Sequence, residues 1–288
     1  MSSKLILGTV QFGLDYGINN SSGLPSLERV FSILDLASNQ ILCLDTASGY
    51  GVSEERIGKY HREHLDKKFE VNTKFSKGRI ENPLEELIAT KKRLNISIID
   101  TIMFHSLDDF KNNHKKMKLL LQEGKGRYFR KFGVSVYTVE ELEQLKNINE
   151  VEVIQVSFNL MDNHSKKGAI LSELKELGKE IHVRSCFLQG LFFMLPKNLT
   201  GNLKYAGKYI NKINTIVSNN EISLGELALS YCISKKYIDK VLIGVDSTEQ
   251  LKQNLKWSST MLIKDLENAI DSIDVKEEVL LNPSKWKT

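Results

Sequence analysis

The sequence has little cysteine and no long hydrophobic run. Its three cysteines, Cys43, Cys186 and Cys232, are odd in number and far apart, which argues against a disulfide framework and predicts reduced, mostly buried thiols. No stretch reaches the roughly 20 apolar residues that span a bilayer, and the first residues lack the apolar segment of a signal peptide. We therefore expect a cytoplasmic protein with no membrane partner.

The sequence also lacks a large excess of one charge and any segment with the composition of a flexible linker. Lys and Arg total 40 against 36 Asp and Glu, and a net charge of +4 is too small to indicate nucleic acid as a partner. Only four prolines occur among 288 residues, and no Pro-, Gly- or Ser-rich segment divides the chain. Because barrels of this length stay undivided, residues 1–288 are predicted to form a single domain.

Short runs of apolar and β-branched residues alternate with segments that carry apolar residues at helical spacing. Strand–helix alternation predicts a parallel sheet covered by helices, and eight strands in about 250 residues favour an α/β fold of the closed (β/α)8 TIM-barrel type. Extra helices are predicted after the seventh strand and at the C-terminus. The runs begin at Leu5, Ile41, Phe69, Ser97, Arg127, Glu152, Glu180 and Ile238.

Proton-handling side chains follow three consecutive predicted strands. Asp45, Lys74 and His105 lie at strand ends, and Tyr50 lies in the loop after Asp45. Each alone has an ordinary structural explanation, but the active site of such a barrel lies at the carboxyl ends of its strands, so we expect the four to meet. There Lys74, held by Asp45, would lower the pKa of the phenol, and a neutral His105 would orient a carbonyl oxygen. These four residues predict a reaction in which a carbonyl oxygen is protonated while hydride attacks the carbonyl carbon.

Motifs along nearly the whole chain resemble those of the aldo-keto reductases. The stretch LDTASGYGVSEERIG at 44–58, in register with the later Lys and His, is the most specific of them. The resemblance implies that Asp45, Tyr50, Lys74 and His105 form a catalytic tetrad, with Tyr50 as general acid in reduction and base in oxidation. It also implies a small carbonyl substrate (an aldehyde, ketone or sugar), no metal, and an NADP(H) or NAD(H) cofactor across the barrel mouth. No G-x-G-x-x-G or P-loop motif suggests another nucleotide-binding mode.

The resemblance further implies contacts to the nicotinamide end of the cofactor. Ser135 and Gln155 match carboxamide-binding residues, but the Asn that usually follows the Ser is Val136, so one hydrogen bond is missing or comes from elsewhere, for example from Asn159. The stacking aromatic aligns with Cys186, and a shifted alignment places Phe187 there. The other implied contacts are Gln189, Gly190, Gly244, Asp246, Ser247, Gln250 and Asn254.

The adenosine end of the implied site lacks the usual cation. Where many relatives carry Lys or Arg against the 2'-phosphate, this chain has Gly244, Asp246 and Gln250. An acidic Asp246 beside a dianionic phosphate is unfavourable. We therefore expect NAD(H) to be accepted at least comparably with NADP(H).

Alternative interpretations stay open at this point. Lys74 on an inner strand fits a Schiff-base lyase with Asp45 and Tyr50 as acid and base, and the fold also fits a non-catalytic cofactor-binding module. His61 and His64 have a spacing compatible with a metal, but their charged neighbours and the lack of a partner indicate surface residues. We expect a monomer or a weak homo-oligomer.

Overall fold

A computed structural model describes residues 4–20 and 23–287 of the chain. Eight parallel strands follow one another in chain order around a closed barrel, with β1 pairing to both β2 and β8. The strands are β1 (Leu5–Gly8), β2 (Cys43–Asp45), β3 (Glu70–Lys74), β4 (Ile99–Phe104), β5 (Phe129–Val136), β6 (Val153–Ser157), β7 (Glu180–Arg184) and β8 (Lys240–Gly244).

Helices surround the barrel and connect successive strands. Their apolar faces pack on the strands, which are buried on both sides and therefore read as continuous apolar runs. They are α1 (Leu27–Ala37), α2 (Ser53–Glu63), α3 (Pro83–Leu94), α4 (Leu107–Gly124), α5 (Val139–Leu145), α6 (His164–Glu176), α7 (Gly207–Asn219), α8 (Leu224–Ser234), α9 (Thr248–Trp257) and α10 (Lys264–Asp271).

The predicted fold class is confirmed, because each of the eight predicted runs contains one barrel strand. Strand β2 is shorter than its apolar run. Ile41 donates its backbone N–H to Ala37 O at 2.8 Å, so the residue belongs to the turn that ends α1 rather than to the sheet.

The additional helices also lie where the sequence predicts them. After β7 the chain forms 3-10 turns, including Leu188–Phe193, and then α7 and α8. Helix α10 is held near the C-terminus by Asn163, whose Nδ2 donates to Ile270 O at 2.8 Å and to Ile273 O at 2.9 Å. In the part of the chain that the structure describes, no helix is long and apolar enough to cross a membrane.

The interpretation of His61 as a surface residue is wrong. Its side chain is fully buried, with Nδ1 2.8 Å from Leu94 O and Nε2 accepting from Phe69 N at 3.2 Å. Because both ring nitrogens are engaged, His61 ties α2 to neighbouring elements and has no lone pair left for a metal. Residues 4–20 and 23–287 contain no group of three or more His, Cys, Asp or Glu that could hold a metal ion.

Candidate active site

A cavity of about 670 Å³ opens at the carboxyl ends of the strands. All four predicted catalytic residues line it, and so do all the predicted cofactor contacts except Ser247, whose hydroxyl caps α9 by accepting from Gln250 N at 3.2 Å. Residues from loops far apart in the chain thus meet at one end of the barrel. The lining residues that sequence analysis selected are Asp45, Tyr50, Lys74, His105, Ser135, Gln155, Cys186, Phe187, Gln189, Gly190, Gly244, Asp246, Gln250 and Asn254.

Asp45 and Lys74, the last residues of β2 and β3, form a buried ion pair. Lys74 Nζ lies 2.5 Å from Asp45 Oδ1 and 3.2 Å from Thr46 O, while Asp45 Oδ2 accepts from Gln155 Nε2 at 2.8 Å. Burial lowers the pKa of Lys74, and the Asp45 carboxylate opposes that shift. The carboxylate therefore holds the ammonium in place and uses its second oxygen to fix Gln155.

Two glycines allow the loop after β2 to present Tyr50 to the cavity. Gly51 lies in the left-handed region with φ of 52°, and a Cβ on it would lie 2.3 Å from Gly13 O. A Cβ on Gly13 would lie 1.8 Å from Tyr50 O. Only glycine permits this backbone approach, so the position of the phenol depends on packing between the loops after β1 and β2.

The Tyr50 ring lies between Lys74 and His105. Lys74 Nζ is 5.5 Å from the ring centroid, and the Tyr50 and His105 rings are 6.0 Å apart between centroids. Burial first, and then the Asp45 charge, raise the pKa of Tyr50 well above its usual range, while Arg184 opposes the shift. The expectation that Lys74 makes this phenol more acidic is not met, because burial has the largest effect on its pKa and Asp45 adds to the rise. The hydroxyl therefore stays protonated, as a proton donor must.

His105 is held neutral beside the phenol. Burial first, and then the charges of Lys74, Lys77 and Arg184, lower the pKa of His105 to about 3. Its Nε2 atom is buried and lacks a hydrogen-bond partner among the described residues. A neutral imidazole with its proton on that nitrogen can donate to a carbonyl oxygen in the cavity.

Ser135 and Gln155 are register partners on β5 and β6 and form one wall of the cavity. With Nε2 bound to Asp45, Gln155 has a buried Oε1 that lacks a partner within the described chain. A primary amide N–H suits such an acceptor, so this wall fits the carboxamide of a nicotinamide. Asn159, suggested for the missing contact, is buried and is not among the residues that line the cavity. Its Oδ1 accepts from Met161 N and Asp162 N, and its Nδ2 has no partner among the described residues.

The segment after β7 has an unusual backbone. Ser185, Leu188 and Gln189 have positive φ angles of 62°, 48° and 55° although none is glycine, and such strain concentrates at ligand-binding sites. Gln189 Nε2 donates to the Tyr16 hydroxyl at 2.9 Å, which joins this segment to the loop after β1 across the mouth.

The two candidates for a stacking residue differ in exposure. The Cys186 thiol is buried and lies 3.5 Å from Leu242 O, and burial raises its pKa to about 12. Phe187 is half-buried, with its ring centroid 6.1 Å from that of Phe193. Of the two, only Phe187 has a ring to offer a planar ligand.

The segment between β8 and α9 forms the opposite end of the cavity. Asp246 N donates to Gln250 Oε1 at 2.7 Å, and Asp246 Oδ1 is buried without a partner among the described residues. Burial raises the pKa of Asp246, and the nearby Arg29 opposes the shift. Asn254 is buried at the same end of the cavity.

Several cavity residues were missed by the sequence analysis. Arg184 at the end of β7, Tyr137 after β5, Lys77 after β3 and Trp257 at the end of α9 all line the mouth. The sequence does contain a signal that could have identified Arg184. It lies two residues after His182 on a strand whose other side is apolar, and alternate residues of a strand face the same side.

Comparisons with known proteins agree with this architecture. A profile of the Aldo/keto reductase family matches residues 4–275. The chain is 22% identical over 303 aligned positions to an L-glyceraldehyde 3-phosphate reductase of Escherichia coli (strain K12), covering 88% of this chain and 85% of the relative.

Similar solved structures include an aldo-keto reductase from Bacillus halodurans in its holo form and a glycerol dehydrogenase from Gluconobacter oxydans. The first has a TM-score of 0.75 and 21% identity and covers 95% of this chain and 93% of that one. The second has a TM-score of 0.69 and 20% identity, with coverages of 94% and 90%. At these identities the likeness concerns the barrel fold.

Proposed function

Because the chain belongs to the aldo/keto reductase family, we propose that it reduces a small carbonyl compound with a nicotinamide nucleotide and that Tyr50 delivers the proton. One observation carries the proposal: Tyr50, His105 and the Asp45–Lys74 ion pair converge on a single cavity from three consecutive strands and their following loops. The family consists of NAD(P)-dependent carbonyl oxidoreductases, and this chain contributes an uninterrupted proton-handling set.

In reduction, each polar group has one task at the carbonyl oxygen. A bound nicotinamide supplies the hydride, and the chain supplies the proton. Tyr50 donates from its hydroxyl, while His105 Nε2 donates a hydrogen bond that orients the oxygen and stabilises its developing charge. Lys74, fixed by Asp45 at 2.5 Å, places a positive charge beside the ring as the phenolate forms. In oxidation Tyr50 takes the proton back.

The residues that would hold the nucleotide lie along the mouth from Ser135 to Asn254. Ser135 and Gln155 Oε1 offer hydrogen bonds to the carboxamide, and Phe187 offers an apolar face. The rest of the nucleotide would be contacted by segment 185–190 and by Gly244, Asp246, Gln250 and Asn254. Ser247 would contribute through the N-terminus of α9, which favours phosphate oxygens.

We further propose that NAD(H) is accepted at least comparably with NADP(H). The half-exposed Asp246 carboxylate faces the adenosine end, and the cations that line the cavity within the described residues, Lys74, Lys77 and Arg184, lie on β3, the loop after it and β7. A 2'-phosphate would meet an anion without a lining cation. Fluorescence titration with both reduced nucleotides tests this, and far tighter binding of NADPH would contradict it.

The substrate class follows from the family and from the relatives. One relative is named for L-glyceraldehyde 3-phosphate and another for glycerol. We propose an aldehyde, a ketone or a sugar for this chain, with residues 1–288 acting as one domain.

A cofactor-oxidation screen tests the proposed function. The protein is incubated with NADH or NADPH and a panel of neutral sugars, aldehydes and ketones, and loss of the reduced nicotinamide absorbance is followed. Turnover of at least one carbonyl compound is expected. Tight nucleotide binding with no turnover across the panel would favour the non-catalytic module instead.

Borohydride trapping separates the lyase alternative. A Schiff base at Lys74 would leave the protein covalently labelled by a keto sugar, whereas a hydride-transfer enzyme leaves it unlabelled. We expect no label, because Lys74 is held by Asp45 and by Thr46 O.

A further inference from the structure

The last residue of β7 places a guanidinium in the cavity mouth. Arg184 is half-buried, its Nε donates to Ser135 Oγ at 3.3 Å, and one terminal nitrogen donates to Val136 O at 3.1 Å. Its Cζ lies 4.0 Å from the centroid of the Tyr137 ring. Two hydrogen bonds and an aromatic face fix the plane of the group, which reduces the entropy lost when it binds a ligand.

This fixed group keeps donors for a ligand. An Arg side chain carries five N–H donors, and the bonds to Ser135 and Val136 engage two of them. The others belong to the fork with which Arg binds carboxylate or phosphate through paired hydrogen bonds.

Arg184 also lacks a compensating acid. Within residues 4–20 and 23–287, no Asp or Glu forms an ion pair with it. Of the acids that line the cavity, Asp45 is paired with Lys74, and Asp109 accepts from Gly78 N at 2.8 Å and from Ser106 Oγ at 2.8 Å. The third, Asp246, lies beyond β8 with Gln250. Arg184 is therefore a cation of the cavity lining without an acidic partner among the described residues.

A purely structural arginine of the same protein looks different. Arg93 donates from Nε to Glu54 Oε2 at 2.7 Å and from a terminal nitrogen to Thr90 Oγ1 at 2.8 Å, so it holds α3 against α2 through a buried carboxylate. Arg184 has neutral partners only and faces open cavity. Since desolvating a charge is costly without a counter-ion, such an arrangement is typical of a group that awaits an anionic ligand.

The guanidinium is close enough to the reacting groups to act on the same molecule. Arg184 lines the same cavity of about 670 Å³ as Tyr50, Lys74 and His105, and it bonds Ser135 in the wall of that cavity. A molecule whose carbonyl oxygen meets Tyr50 can therefore bring a second group to Arg184.

We propose that Arg184 is a specificity-determining residue that binds an anionic group, a carboxylate or a phosphate, on the carbonyl substrate. That the anion belongs to a substrate rests on the proposed function. Binding of an anion at Arg184 does not itself require turnover.

Direct binding provides the first test. The protein is titrated with benzoate, phenyl phosphate and neutral methyl benzoate, following Trp fluorescence, since Trp257 lines the same cavity. At least one anion is expected to bind about tenfold more tightly than methyl benzoate, and Arg184→Gln is expected to abolish the difference. The anion that binds better identifies the group as carboxylate or phosphate. Equal binding of all three probes overturns the inference, whether or not the protein turns over any aldehyde.

Matched substrates provide the second test. The measured quantity is kcat/KM for 4-carboxybenzaldehyde divided by kcat/KM for its neutral methyl ester, methyl 4-formylbenzoate. This ratio cancels any effect of a variant that is common to both substrates. If phosphate binds better than carboxylate, 4-formylphenyl phosphate replaces the acid. The ratio is expected to exceed unity by about tenfold and to fall close to unity in Arg184→Gln, with partial recovery in Arg184→Lys, which keeps the charge but loses the fork.

The exposed cation Lys77 supplies the matched control, since it also lines the cavity. Lys77→Gln is expected to change the ratio by less than about threefold, as for a screened surface charge. An equal fall in both variants would mean a diffuse field rather than a site at Arg184. An unchanged ratio in Arg184→Gln together with weakened nucleotide binding would place Arg184 on the cofactor and overturn the inference.

Discussion

The two ends of β7 carry similar polar side chains in opposite situations. Glu180, His182 and Arg184 alternate along the strand and therefore face the same side. At the amino end, Glu180 lies 2.8 Å from His182 Nε2 and 2.5 Å from Lys131 Nζ. At the carboxyl end, Arg184 faces a cavity without an acid from the described residues.

This difference distinguishes polar groups that stabilise the fold from polar groups that are available to a ligand. At the amino end Glu180 pairs with Lys131 and bonds His182, and the neighbouring Lys175 and Asp239 form an ion pair at 2.5 Å. At that end the buried His182 Nδ1 has no partner among the described residues. The mouth instead collects Arg184, whose hydrogen bonds to Ser135 and Val136 engage two of its N–H donors, and the unpartnered buried atoms His105 Nε2 and Gln155 Oε1. Such groups cost free energy unless a ligand completes their bonds, so their presence in one cavity supports the proposal that ligands bind at the mouth.

The substitution with the largest predicted effect is Tyr50→Phe at the mouth, which removes the proposed proton donor but leaves the ring in place. We expect kcat to fall by about a thousandfold while nucleotide binding is retained, because proton transfer in the transition state is lost. Tyr209→Phe is the control, since that hydroxyl bonds Glu277 and neither residue lines the cavity. Steady-state kinetics and fluorescence titration measure both. Near-normal turnover in Tyr50→Phe would remove the assigned acid.

The second expected effect is on the backbone that supports the mouth. Gly13→Ala would place a Cβ 1.8 Å from Tyr50 O, and relief of that overlap is expected to cost about 3 kcal/mol of unfolding free energy. Urea denaturation measures the loss. Gly207→Ala, where a Cβ would lie 3.4 Å from Pro196 Cβ, should change stability by less than about 0.5 kcal/mol. Equal stability of the two variants would show that the loop accommodates a side chain.

The third expected effect is on the amino end, where Glu180→Gln removes the shared acceptor of His182 and Lys131. These two partners lower the pKa of Glu180 from 4.5 to about 2, so the carboxylate stabilises the fold above pH 4.5, and this contribution disappears as the pH falls toward 2.

We expect a loss of about 2 kcal/mol at pH 7 that shrinks on acidification, with kcat/KM unchanged. Chemical denaturation of the protein and the variant at pH 7 and at pH 3.5 measures it. A loss of unfolding free energy that does not depend on pH, or a loss of activity without a loss of stability, would contradict the assignment of a structural role to the amino end.

The smallest expected effect concerns Lys131, whose side chain is 38% exposed beside Glu180. Lys131→Met should lower the unfolding free energy by less than about 1 kcal/mol, because a solvent-accessible ion pair contributes little. Thermal denaturation at low and high salt checks this, with a smaller difference between protein and variant expected at high salt. A loss of several kcal/mol would show that this pair is a main support of the barrel.

The barrel could be predicted from the sequence because its strands are buried on both sides. Runs such as Val153–Ser157 are apolar on average, short and regularly spaced, and the cap residues Ser26, Asn82, Thr138 and Ser247 each accept from backbone N–H groups at the start of a helix. These signals are local. They required no knowledge of distant contacts.

Properties that depend on contacts between distant segments could not be predicted. His61 is polar and sits among charges, but its partners Leu94 O and Phe69 N come from other elements. The pKa of Tyr50 rises because burial and the Asp45 charge outweigh the opposing charge of Arg184, and this balance depends on the folded geometry. The catalytic and cofactor roles of the cavity residues stay predictions.

Arg184 illustrates a third case. A cation at the end of a strand is usually solvated, and nothing in the sequence indicates that Tyr137, from another strand end, lies 4.0 Å from its Cζ. Only the fold shows that the residue is fixed and that no acid among the described residues forms an ion pair with it.

Hydrogen–deuterium exchange with and without saturating NADH or NADPH tests the contrast between the two barrel ends most directly. Nucleotide binding is predicted to slow amide exchange in residues 185–190 and 244–250 at the mouth and to leave residues 178–182 and 239–240 at the amino end unchanged. Protection at the amino end, or none in residues 185–190 when the nucleotide is bound, would contradict the assignment of ligand chemistry to the mouth.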